Sequence, residues 1–105
     1  MISDEWVDGA MIMMADTDVT AALAKAKVKA LEVYGKTAKS FAFLDAKGTV
    51  AEREAAALTS TIYREWQKDY EEAIVESETL ANKRASAAGE REVWRSLQAN
   101  RRQGA

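Results

Sequence analysis

The chain has no cysteine, no histidine and no proline, and only five of its 105 residues are glycine. Without cysteine there is no disulfide framework, no thiol nucleophile and no cysteinyl zinc or iron–sulfur site, so nothing ties the chain to an oxidising compartment. Without histidine the commonest general base and metal ligand is missing. Glycine is too sparse for a phosphate-cradling loop, with neither a Gly-x-Gly-x-x-Gly run nor a lysine behind a glycine loop. No apolar run approaches the roughly 20 residues that span a bilayer. Met11 to Met14 is too short for a signal-peptide core and follows acids where bases belong. The expectation is a soluble, cytoplasmic, non-enzymatic protein with no catalytic residues, no cofactor, no metal and no membrane contact.

What the chain does have is alanine, 21 residues of it, and many charges, 15 basic against 17 acidic. The length suits one domain at most. The charges alternate in blocks: residues 1–18 hold five acids and no base, 19–48 six lysines against Glu32 and Asp45, 49–82 three bases against eight acids, and 83–105 six bases against two acids. Blocks of opposite sign suit segments that fold back on one another, because the attraction, though screened by salt, disfavours pairing like with like.

The pattern predicts an all-α fold. Asp16-Thr17-Asp18 offers N-caps, which leaves residues 1–17 as an arm or short helix and starts helix one at 18. Its buried stripe reads Val19, Ala22, Ala26, Ala30, Val33, Thr37, Phe41 and Leu44, in steps of three and four. Gly35 inside it costs up to about 1 kcal/mol, which neighbouring Ala and Lys absorb. Helix one ends near 46, with Gly48 free to take the left-handed conformation, and Thr49 to Glu52 forms a capping box that opens helix two. Helix two runs over 49–102, with a candidate hinge at Gly89. Its stripe reads Ala51, Ala55, Leu58, Ile62, Trp66, Tyr70, Ala73, Ser77, Leu80, Arg84, Ala87, Arg91 and Trp94.

So short a connection makes the two helices antiparallel neighbours, a hairpin with a long second helix. Folding about Gly48 brings Phe41 near Ala55, Val33 near Ile62, Ala26 near Tyr70 and Val19 near Ser77. Two helices enclose too thin a core to be comfortable alone, which predicts a homo-oligomer. Leu58, Ile62, Tyr63, Trp66 and Tyr70 are the candidate oligomer interface, as large apolar area on a face that a lone hairpin leaves wet.

The turn Gly48-Thr49-Val50-Ala51-Glu52-Arg53-Glu54-Ala55 and the tail from Glu92-Val93-Trp94-Arg95 to Asn100-Arg101-Arg102 resemble a group of small helical-hairpin proteins of tailed bacteriophages. The resemblance covers about residues 20 to 104 and leaves 1–16 outside. It implies an early-region phage protein, in the host cytoplasm, with a coiled-coil-like body and genes for replication and recombination nearby. No catalytic residues come with it.

Two surfaces carry chemistry. Arg91, Trp94, Arg95, Arg101 and Arg102 put guanidinium forks and an indole on one helix end, the composition of a surface for single-stranded DNA. The same residues equally suit a partner protein or a complement to the helix macrodipole. An overall pI near 5.2 argues against general DNA coating. Glu65, Asp69, Glu72 and Glu76, at spacings of three and four, form an acidic face, read first as a solvated stripe paired with Lys25, Lys29 and Lys36. The functional expectation is an interaction protein accessory to phage DNA replication or recombination, through a partner protein or single-stranded DNA. The alternative is an inhibitor or adaptor of a host enzyme, of the anti-defence type, acting through the acidic face.

Overall fold

The computed structural model describes residues 3–104; the first two residues of the expected arm and Ala105 lie outside them. The chain is all-helical: α1 is Asp4–Asp45, α2 Val50–Leu58 and α3 Thr61–Gly104, with no strand among the described residues. Helix one therefore starts at Asp4, not at 18. Ser3 Oγ accepts from Trp6 N at 3.1 Å, and Asp4 and Glu5 place negative charge in the first turn, where the helix dipole favours it. Thr17, read as a cap, instead donates to the Met13 carbonyl at 2.6 Å and stays helical.

The turn is built much as the sequence indicates. Gly48 has φ 112°, and Thr49 caps α2 by accepting from Glu52 N at 3.2 Å. The capping box differs in one bond, since the Glu52 carboxylate takes the Thr49 hydroxyl at 3.1 Å. Arg53 staples α2 to the end of α1: its Nε donates to the Phe43 carbonyl at 3.2 Å and its guanidinium lies 4.4 Å from the Phe43 ring centroid. A side chain at Gly48 would meet both the strained φ and the Glu52 carboxylate. Gly48→Ala is accordingly expected to cost about 1 to 3 kcal/mol, and Thr49→Ala about 1 kcal/mol, each read as a lower melting temperature.

The expected helix over 49–102 is broken at Thr59 and Ser60. Thr59 Oγ1 donates to Ala55 O and Ser60 Oγ to Ala57 O at 2.7 Å, while Ser60 Oγ accepts from Tyr63 N at 3.3 Å and so caps α3. Adjacent hydroxyls that satisfy the backbone locally end one helix and begin the next. Beyond this break α3 passes through Gly89 without interruption.

The residues group into two compact units, a turn unit (Ala24–Ser77) and a terminal unit (Met1–Leu23 with Glu78–Ala105). In the turn unit Trp66 reaches Leu31 and Gly35, and Lys27 reaches Glu76, so numbers rise along α3 as they fall along α1. The pairing lies about one helical turn away from the expected partners, because α2 and its cap take up residues in the connection. In the terminal unit Arg84 binds Met14, Thr17 and Asp18, and Trp94 binds Asp4, again in opposite order.

The α3 stripe from Trp66 to Trp94 faces inward, as read from the sequence. The α1 stripe does not. Val19, Val33 and Leu44 are each 69% exposed, and Phe41 57%. The face that packs is Val7, Ala10, Met14, Thr17 and Ala21 in the terminal unit, and Ala24, Val28, Leu31, Gly35, Ala38 and Ala42 in the turn unit. These steps alternate three and four, a heptad seam. Volume decides between the two faces. Because α3 contributes Trp66, Tyr70, Leu80, Arg84 and Trp94, its neighbour must contribute small side chains for the pair to close.

Candidate functional site

In the turn unit the aromatic trio works inside the chain. Trp66 is half-buried, its ring lies 5.2 Å from that of Tyr63 and 5.3 Å, stacked, from that of Tyr70, and its Nε1 donates to the Leu31 carbonyl at 2.6 Å. Its six-membered ring occupies the space over Gly35 that a Cβ would fill. Ile62 is half-buried as well, and of the five residues expected at an oligomer interface Leu58 alone is exposed. Gly35 is thus a receptor for an indole, not a loss that its neighbours absorb.

In the terminal unit the basic tail divides. Trp94 is half-buried and its Nε1 donates to Asp4 Oδ1 at 2.6 Å. Arg91 is half-buried beside Glu92 at 3.9 Å, and Arg95 is 3.4 Å from the same carboxylate. Arg101 and Arg102 are exposed in the last turn of α3, where they complement its dipole. Arg84 is the best-bound of the bases: its Nη1 donates to Met14 O at 2.7 Å and Thr17 Oγ1 at 2.9 Å, and its Nη2 to Asp18 Oδ1 at 3.1 Å. With the indole committed to Asp4, Trp94→Ala is expected to cost about 2 kcal/mol of stability in the absence of DNA. A melting temperature that moves only when single-stranded DNA is present would return Trp94 to a stacking role.

The acidic face is exposed at Glu65, Asp69, Glu72 and Glu76. Among the described residues its one ion pair to α1 is Glu76 with Lys27 at 4.0 Å, not with Lys25, Lys29 or Lys36, while Glu72 pairs with Lys68 on its own helix. Lys27 directly precedes the inward Val28 and Glu76 the inward Ser77, so this pair flanks the seam, whereas Lys29 and Lys36 lie farther round the helix. Among the described residues no group of three or more acidic side chains is placed to hold a metal ion. The one serine or threonine hydroxyl among them bonded to a carboxylate is the Thr49 cap.

Each unit also carries an open groove. One of about 530 Å³ in the terminal unit has Ala10 and Ala87 as its floor and Trp6, Met13, Lys83 and Glu90 around it. The other, about 650 Å³, lies in the turn unit between Phe41 and Ile62. No described helix is long and apolar enough to cross a membrane. Comparisons with protein families, curated proteins and solved structures find no match.

The surface that reasoning from the sequence missed is the outward side of α1, with Ile12, Val19, Leu23, Val33 and Leu44 between 60% and 69% exposed. Its signal was present. α1 carries two stripes in heptad spacing, and a single partner helix covers one of them.

Proposed function

We propose that this chain is a non-enzymatic interaction protein, an antiparallel helical hairpin that self-associates and works by contact with other proteins. The carrying observation is how apolar area is distributed: among the described residues the buried side chains are Val7 and alanines, no large side chain is fully buried, and Ile12, Val19, Leu23, Val33 and Leu44 of α1 stand outward. Apolar area left open in this way is characteristic of interaction surfaces. The tail favours protein contact over nucleic acid, because Trp94 is bonded to Asp4 and Arg84 is spent on α1. The setting we propose, a bacteriophage replication or recombination assembly in the host cytoplasm, rests on the resemblance of the turn and the tail alone.

A second reading, an inhibitor of a host enzyme, is favoured by the exposed acidic face of Glu65, Asp69, Glu72 and Glu76, of which Glu65 and Asp69 have no cation within 4 Å among the described residues. Tagged protein recovered from phage-infected cells separates the two. Stoichiometric replication or recombination proteins are the expected result. A host nuclease or other defence enzyme, released by reversing the charge of Glu65 and Asp69, would replace the first reading with the second.

A further inference from the structure

We infer that the outward stripe of α1 is the seam of a two-fold homodimer in which α1 of one copy lies antiparallel against α1 of the other. This rests on the reading that the chain works by protein contact, and it names the first such contact. Ile12, Val19 and Leu23 lie on the terminal unit's part of α1, and Val33 and Leu44 on the turn unit's part, all exposed and spaced for a heptad seam. The inward face of the same helix is already occupied by α3. A helix with two such seams requires two helical neighbours, and no other described helix of the chain covers the second.

Three features select a second α1 as the occupant. The stripe maps onto itself when reversed about the level of Val28: Ile12 faces Leu44 of the second copy, Val19 faces Thr37, Leu23 faces Val33 and Ala26 faces Ala30. The one acid within the stripe, Asp16, then faces the hydroxyl of Ser40. The alanines at the middle allow the two backbones to approach closely, with the larger residues packing on either side. Charge sets the direction. The terminal unit's part of α1 holds five acids and no base, and the turn unit's part five lysines against Glu32 and Asp45. Antiparallel pairing sets acid against base twice, while parallel pairing sets like against like throughout. Of these charges only Asp18 and Lys27 are ion-paired with α3 among the described residues, and Asp4 accepts a hydrogen bond from Trp94. The outward side of α3 offers no comparable stripe; beside Val75 it presents Glu65, Lys68 and Glu72.

The absence of native cysteine makes the test direct. Val19→Cys and Thr37→Cys chains, mixed and oxidised, should yield the mixed disulfide dimer, and each alone should stay largely uncrosslinked. Leu23→Glu, at a position exposed in the single chain, should keep its helicity by circular dichroism and weaken the dimer more than about tenfold, since the buried leucine is lost on both sides of the axis. Homodisulfides from the single variants instead of the mixed species would overturn the antiparallel arrangement. A dimer that Leu23→Glu leaves intact would overturn this surface and leave self-association standing, whereas a wild-type chain that never associates would remove both and leave contact with other proteins to the capture experiment.

Discussion

Trp66→Ala should lower stability by about 3 to 5 kcal/mol, and Gly35→Ala by about 1 to 3 kcal/mol, but the two losses should not add. The indole lies where an alanine methyl at Gly35 would have to go, and its Nε1 holds the Leu31 carbonyl one turn away. Once the indole is gone the methyl meets nothing. In the Trp66→Ala background Gly35→Ala should therefore be neutral, or stabilising by up to about 1 kcal/mol from the better helix propensity of alanine. Urea denaturation of the four proteins of this cycle measures the coupling. Additive losses would show that Gly35 is a tolerated weakness of α1 and not the seat of Trp66.

Arg84→Ala should cost about 2 to 3 kcal/mol, chiefly through hydrogen bonds and not through its ion pair. The guanidinium holds a backbone carbonyl and a hydroxyl, and its side chain is 21% exposed, whereas its acidic partner Asp18 is 77% exposed. An exposed carboxylate contributes at most about 1 kcal/mol, so Asp18→Asn should change little and high salt should leave the Arg84 effect standing. Arg84→Lys should recover less than half of the loss, because an ammonium lacks the fork that reaches Met14, Thr17 and Asp18 together. Equal losses for Arg84→Ala and Asp18→Asn would mean that the ion pair governs. An arginine in a seam otherwise of small and apolar residues also fixes which turn of α1 meets which turn of α3, the role that single polar residues play in coiled coils.

What could be read from residues alone follows from how local each feature is. The turn was legible because Gly48, Thr49 and Glu52 act within a few residues of one another. The inward stripe of α3 was legible because its outward positions are mostly charged or polar, with Val75 and Val93 too far apart to make a second stripe. On α1 both faces qualify: one carries Val19, Val33 and Leu44, the other alanine and Gly35, and hydrophobicity favours the wrong one. The choice is made by the bulk that α3 brings, which no window of α1 contains. Thr59-Ser60-Thr61 did carry a visible break signal, three adjacent hydroxyls, but the absence of glycine and proline hid it. At the site, Trp66 and Trp94 were recognisable as important, but the acceptors of their indole N–H groups, Leu31 and Asp4, were not, since they are distant in sequence.

The central claim is that α1 has one seam inside the chain and one between chains. Sedimentation equilibrium of the unmodified protein tests it most directly, run over micromolar to millimolar concentrations beside Leu23→Glu. The expected wild-type mass approaches twice the 11.6 kDa of one chain, while Leu23→Glu stays near the single-chain value at concentrations where the wild type is dimeric. A wild-type mass fixed at that of one chain across the whole range would contradict it.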